Sequence, residues 1–132
     1  MARRIMIIDD DRFIGEAVKD RLDALGYEAI AFTDGCSALA TIALESKRSP
    51  LDLVLLDLVM PGMDGMAVLR ELRHRHREIP VIMMSATQER EAFMEALRVG
   101  ARDYVRKPLD FNALEQKCRI ILEREDRARD PR

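Results

Sequence analysis

Four short apolar runs in this chain are each followed at once by polar residues. The runs are Ile5 to Ile8, Leu53 to Leu56, Val81 to Met84 and the pair Tyr104–Val105. Asp9 and Asp10 follow the first, Asp57 the second, Ser85 the third, and Arg106 and Lys107 the last. Continuous apolar runs separated by helix-length stretches predict parallel strands buried on both faces.

The stretches between them carry helical spacing. Ile14, Ala17, Val18, Leu22 and Leu25 repeat along one face of Arg12–Leu25, and Gly26 follows as a helix-ending glycine. Tyr27–Phe32 is more alternating than the other runs, which predicts a strand nearer a sheet edge. Asp34 is placed to cap a helix reaching about Glu45, and Ser46–Pro50 reads as a loop. Leu51–Leu56 is the most apolar strand and is expected at the sheet centre. Asp57–Gly65 holds Pro61 and two glycines and reads as a loop, with Asp64 capping a helix to about Arg75. Pro80–Met84 is a strand, Thr87–Val99 a helix stopped by Gly100, and Arg102–Val105 a short edge strand that Pro108 ends. Asp110 caps a last helix, Phe111 to about Glu125, and the charged Asp126–Arg132 tail is expected to fray.

This alternation predicts an α/β fold of (βα)5 type: a doubly wound, three-layer sandwich around a parallel five-stranded sheet of flavodoxin-like order 2-1-3-4-5. Residues 1–122 form one domain in this reading. Residues 123–132 are the end of the last helix and a charged tail or the start of a linker.

In such sheets the carboxyl ends of the strands form the ligand-binding edge. Asp9, Asp10, Asp57, Ser85 and Lys107 therefore converge from distant parts of the chain. Three carboxylates in one place repel unless they share a cation, and hard oxygen donors suit Mg²⁺. Asp10 is the better candidate for a direct ligand, Asp9 for one acting through water. Asp11 is expected to point away and begin the helix. Taken alone, the acidic run can equally be a helix N-terminus complementing the dipole. Asp57 can attack phosphorus and form an acyl phosphate. The Ser85 hydroxyl can donate to a phosphoryl oxygen, and Lys107 supplies the cation an anionic pocket needs; a cis Lys107–Pro108 bond would aim it inward. Asp52, at the start of its strand, falls at the opposite edge and reads as a solvated residue.

Composition narrows the field. The 132 residues are 48% hydrophobic, enough for one core, and 22 basic against 24 acidic residues leave a net charge of −2. That balance argues against a global basic field for nucleic acid. Cys36 and Cys118 fit no metal or redox spacing and read as reduced helical thiols. The apolar stretch near the N-terminus is too short for a signal peptide, and no run approaches a membrane span, so a soluble, cytoplasmic protein is expected. His74 and His76 face different directions on one helix and are not a metal pair. The Arg73–Arg77 cluster suits a helix C-terminus, and Met60, Met83 and Met84 suit packing.

Four segments together resemble the receiver (REC) domain of two-component response regulators. They are Ile7–Asp11, Leu55–Gly65, Met84–Ala86 and Gly100–Pro108, within a likeness spanning residues 4 to 122. The resemblance implies that Asp57 accepts a phosphoryl group from a histidine kinase or a histidine phosphotransfer protein. It implies Mg²⁺ held by Asp9, Asp10, Asp57 and the Val59 backbone carbonyl, with Ser85 and Lys107 on the phosphoryl oxygens. Tyr104 resembles the aromatic switch that turns inward as Ser85 moves. That movement would remodel the face of the fourth helix, fifth strand and fifth helix, where partners dock and where a homodimer can form.

The resemblance also implies a self-phosphorylating module, not an enzyme turning over an external substrate, with an effector domain or downstream protein as its output. Two departures stand out. Ser85 occupies a position where threonine is usual, which keeps the hydroxyl and loosens the packing around it. Val59 and Thr87, two residues after Asp57 and Ser85, offer no carboxylate or amide to orient water, so slow self-dephosphorylation is expected.

Rival readings fit less well. An aspartyl-nucleophile phosphatase wants a second acid where Val59 stands, and room for a cap. A flavodoxin-like FMN binder wants a phosphate loop where Asp9–Asp11 would repel one. A degenerate receiver would not retain the complete residue set.

Overall fold

A computed structural model of the chain describes residues 2–45, 50–60, 62–86 and 90–129. Five strands alternate with five helices: β1 (Arg4–Ile8), α1 (Arg12–Ala24), β2 (Glu28–Phe32), α2 (Gly35–Glu45), β3 (Leu53–Asp57), α3 (Gly65–Arg75), β4 (Val81–Ser85), α4 (Arg90–Val99), β5 (Asp103–Arg106) and α5 (Phe111–Arg129). All neighbouring strands pair in parallel, in the order β2-β1-β3-β4-β5. This is the expected flavodoxin-like (βα)5 sandwich. The alternating strand lies at one edge and the most apolar one at the centre. The expected helix start at Thr87 and most of the Ser46–Pro50 loop lie outside the described residues.

Strand alternation sorts the core into two layers. Met6, Ile8, Val54, Leu56, Val81 and Met83 face a layer with α2, α3 and α4 through Ala38, Ile42, Val68, Leu69, Leu72 and Ala96. Ile5, Ile7, Leu53, Leu55, Ile82 and Met84 face α1 and α5 through Val18, Leu22, Leu114, Cys118 and Leu122. Every residue of β3 and β4 is buried, as the continuous apolar runs required. The three methionines assigned to packing, Met60, Met83 and Met84, are buried as well.

Local chemistry sets the helix starts. Asp11 caps α1 by accepting from the Phe13 and Ile14 amides, and Asp64 caps α3 by accepting from Ala67. Asp34 accepts from the Ser37 amide and Asp110 from those of Asn112 and Ala113. Gly26 follows α1 with φ 95°, a conformation other residues resist.

Two expectations are corrected. Asp52 is not simply solvated: its Oδ2 accepts from the Arg4 amide at 2.8 Å and its Oδ1 lies 3.6 Å from the Arg3 guanidinium. It satisfies a strand-entry donor that a neighbouring strand leaves open. The tail does not fray at Asp126, because α5 continues to Arg129. Asp126 pairs with Arg3, and Glu125 with Arg102 at 2.6 Å, so the last turns are tied to the residues that enter β1 and β5.

Candidate functional site

Asp57 and Ser85 are the last residues of their strands, held there by ladder bonds from the Leu58 amide to the Met84 carbonyl and from the Lys107 amide to the Ser85 carbonyl. Asp9 follows β1 directly, with its amide bonded to the Phe32 carbonyl. The ladders thus deliver a carboxylate from each of two adjacent central strands and a hydroxyl from a third. Lys107 follows β5, at a cis Lys107–Pro108 bond.

Three carboxylates gather at this edge. Asp9, Asp10 and Asp57 each offer an oxygen, all within 4.8 Å of one another. Asp9 is fully buried, Asp57 4% exposed and Asp10 exposed, so the cluster opens to solvent on the Asp10 side. Asp9 Oδ1 accepts from the Asp11 amide at 2.9 Å. Asp9 Oδ2 lies 2.6 Å from Lys107 Nζ, a charge contact without a well-angled hydrogen bond. Lys107 Nζ is 3.4 Å from Asp57 Oδ2. Asp57 Oδ1 accepts a long bond, 3.4 Å, from the Val59 amide.

These surroundings disfavour charge on Asp57. Burial, and then the neighbouring Asp9 carboxylate, push its pKa up to about 7, against the opposing pull of Lys107. Burial alone would lower the Lys107 pKa, but its contacts with Asp9 and Asp57 outweigh that and hold it above the ordinary lysine value. One ammonium does not neutralise three carboxylates. A buried Asp9 oxygen without a well-angled donor, beside two further carboxylates, is a donor set that fits a hard divalent cation.

Gly65 is a part of this site that its position in a loop motif does not explain. A Cβ there would fall 2.1 Å from the Asp57 carbonyl oxygen and 2.6 Å from Leu58 Cα. The Gly65 amide donates to the Leu58 carbonyl at 3.0 Å. The start of α3 is thus pressed against the backbone that carries Asp57, and only glycine fits. The Asp64-Gly65 pair shortly after Asp57 is the sequence signal for it.

Tyr104 lies partly buried on β5, away from the carboxylates, and stacks on Phe93 of α4 with ring centroids 4.2 Å apart. Phe93 drew no attention in the sequence, where it reads as one apolar helix position. Ser85 is fully buried. His74 and His76 sit at the end of α3, far along the chain from the carboxylates. Thr87 lies outside the described residues.

A parallel (βα)5 sandwich with this acidic edge, a buried hydroxyl and a lysine defines a class of signalling module. The chain belongs to the response regulator receiver domain family, whose model matches residues 5–119. Domains of this family are the phosphoacceptors of two-component signalling. The chain is 37% identical to the transcriptional regulatory protein QseB of Escherichia coli O157:H7, over 92% of this chain and 53% of that protein. Among solved structures it is similar to the receiver domain of NtrX from Brucella abortus (35% identity, TM-score 0.82, 90% of this chain and 98% of that one). It is also similar to a CheY-like receiver domain protein from Methanospirillum hungatei JF-1 (26% identity, TM-score 0.88, 97% and 99%). The chain spans about half the length of the curated relatives it matches. No described helix is long and apolar enough to cross a membrane.

Proposed function

We propose that Asp57 is the phosphoacceptor, taking a phosphoryl group from a phosphohistidine on a histidine kinase or a histidine phosphotransfer protein. The observation that carries this reading is the approach of Lys107 to both Asp9 and Asp57 across the buried end of the sheet. It leaves one Asp57 oxygen facing the other acidic residues and sets a cation where a transferred phosphoryl group would sit. An Asp57 oxygen forms the new bond to phosphorus, and the phosphorus–nitrogen bond of the donor breaks, leaving its electron pair on the imidazole.

Asp9, Asp10 and Asp57, with the Val59 backbone carbonyl, are the proposed Mg²⁺ ligands. The ion supplies the positive charge that lets two anions approach. Lys107 neutralises a phosphoryl oxygen, and Ser85 donates its hydroxyl to another. Asp57 must be ionised to attack, and Lys107 and the cation oppose the burial that favours its protonated form.

The module reacts once per donor and is not a turnover enzyme on an external substrate. Its proposed output is a change in the α4-β5-α5 face, begun by Ser85 and Tyr104 and read by an effector domain, a downstream protein or a second copy. Residues 1–122 are the proposed receiver domain, and residues 123–132 the end of the last helix and a charged tail or the start of a linker. The Val59 side chain is 65% exposed beside the site and brings no group to orient water, which supports a long-lived acyl phosphate.

The direct test is intact mass after incubation with a small phosphodonor and Mg²⁺. A single phosphoryl adduct that vanishes in Asp57→Asn and in EDTA supports the reading. An adduct that persists in Asp57→Asn refutes Asp57 as acceptor, and decay of the wild-type adduct within seconds refutes the long lifetime.

A further inference from the structure

Asp57 and Ser85 are on adjacent strands but on opposite faces of the sheet. Asp57 pairs with Met84 and continues the register of Leu55 with Ile82, the set that faces α1 and α5. Ser85 continues Val81 and Met83, the set that faces the α2-α3-α4 layer. A hydroxyl drawn toward a group on Asp57 therefore moves an atom belonging to the other layer.

An aromatic pair lies on that second face. Ser85 is in register with Arg106, and Met83 with Tyr104. The Arg106 guanidinium carbon sits 5.8 Å from the centroid of the Phe93 ring. Phe93 is 2% exposed and stacks on Tyr104 at 4.2 Å with 19° between the ring planes. Lys117 Nζ is 6.0 Å from the Tyr104 ring and 2.9 Å from Asp103 Oδ2, which ties the outer ring to α5. The two rings are bracketed by cations on both sides, an arrangement stabilised by the negative faces of the rings. Contacts run from the strand end beside Asp57, through α4, to α5.

We propose that Phe93 and Tyr104 form one switching unit, in which the stack holds the resting position of Tyr104 and of α4. This rests on the phosphoacceptor reading above and adds Phe93 to it as a positioning residue. Tyr104 cannot approach Ser85 while it stays face to face with a ring anchored in α4, so activation breaks the stack or carries α4 with it. By linkage, whatever stabilises the resting stack weakens the response at Asp57 by the same factor.

The experiment uses beryllofluoride with Mg²⁺ as a phosphoryl mimic on the whole chain. It is followed by the aromatic proton resonances of Tyr104 in a Tyr27→Phe background. A ring 4.2 Å away shields those protons, so in the unliganded protein they should lie upfield, and the mimic should move them. Phe93→Leu keeps an apolar side chain in the space and removes the stack. It should abolish the upfield shift and raise the apparent affinity for beryllofluoride about two- to tenfold. Unchanged or weaker affinity in a folded Phe93→Leu protein overturns the inference. So do Tyr104 resonances in the parent protein that ignore a bound mimic, a result that needs no Phe93 variant. If the parent protein binds no mimic even with Mg²⁺, the phosphoacceptor reading falls and takes this inference with it. Binding without movement of the rings sinks the inference alone.

Discussion

Lys107 Nζ approaches the fully buried Asp9 oxygen to 2.6 Å but the Asp57 oxygen only to 3.4 Å. The lysine is anchored on Asp9 and lies within reach of Asp57, the proposed phosphoacceptor. Lys107→Met removes the anchor's partner and leaves the Asp9 charge buried. Unfolding in urea with EDTA present should show a loss of about 3 kcal/mol, the low end for removing one partner of a buried ion pair. Millimolar Mg²⁺ should restore part of it. Equal stability of variant and parent in EDTA would mean that Lys107 does not compensate Asp9.

The raised Asp57 pKa gives a pH dependence with a definite sign. Its folded value, about 7, lies above the ordinary 3.8, so the folded state holds a proton that the unfolded chain releases. The contribution to stability is fully present below about pH 4 and is lost as pH rises to about 7. Asp57→Asn should flatten that slope and stabilise the metal-free protein at neutral pH by on the order of 2 kcal/mol. The figure is below the full linkage value because Asp10 opens the cluster to water. Parallel stability profiles for the parent protein and its Asp57→Asn variant between about pH 4 and about pH 7 would contradict it.

Removal of metal should be visible without any phosphodonor. Mg²⁺ at about ten times its dissociation constant should stabilise the fold by about 1.4 kcal/mol, from the linkage relation for a ligand that binds only the native state. Calorimetry should show proton release on binding near pH 7, since the ion competes with the proton on Asp57. Asp9→Asn and Asp57→Asn should each reduce the thermal shift.

Gly65→Ala places a methyl group 2.1 Å from the Asp57 carbonyl oxygen. Backbone must give way, at a cost of about 3 kcal/mol or more in chemical denaturation. Because the strained segment carries Asp57, phosphoryl acceptance should fall as well, even where the variant remains folded.

Asp52→Ala tests the opposite edge. Loss of the acceptor for the Arg4 amide and of the Arg3 contact should cost about 1–2 kcal/mol. The rate of phosphoryl acceptance at Asp57 should stay within about twofold, as expected for distant, uncoupled sites. A large kinetic defect would show that the two edges communicate.

The parts of this molecule that were legible in the sequence are those set by local chemistry and by sheet periodicity. The apolar runs of β1, β3 and β4 announced buried parallel strands. Once the strands were parallel, the polar residues at their ends had to share an edge. Asp11, Asp34, Asp64 and Asp110 revealed helix starts by capping. What stayed hidden depends on contacts between elements remote in sequence. The pressure of Gly65 on the Asp57 backbone and the seat of Phe93 against Tyr104 follow no short-range pattern. Asp52 misled because a strand-start acid is ordinarily solvated, and nothing local shows that the Arg4 amide needs it. The end of α5 misled for a similar reason: a charged tail frays unless, as with Glu125 and Asp126, distant arginines hold it.

The two-layered core has a consequence for how such a chain can change. Odd-numbered residues of β1 and β3 contribute to one packing problem and even-numbered residues to another, and the sheet backbone separates them. Volume changes around Val18, Leu22 and Leu114 should therefore combine additively with those around Val68, Leu69 and Ala96. Each layer can be repacked while the other is held constant. Substitutions in the α2-α3-α4 layer and in the α1-α5 layer can then accumulate at separate rates, with the sheet between them as the shared constraint.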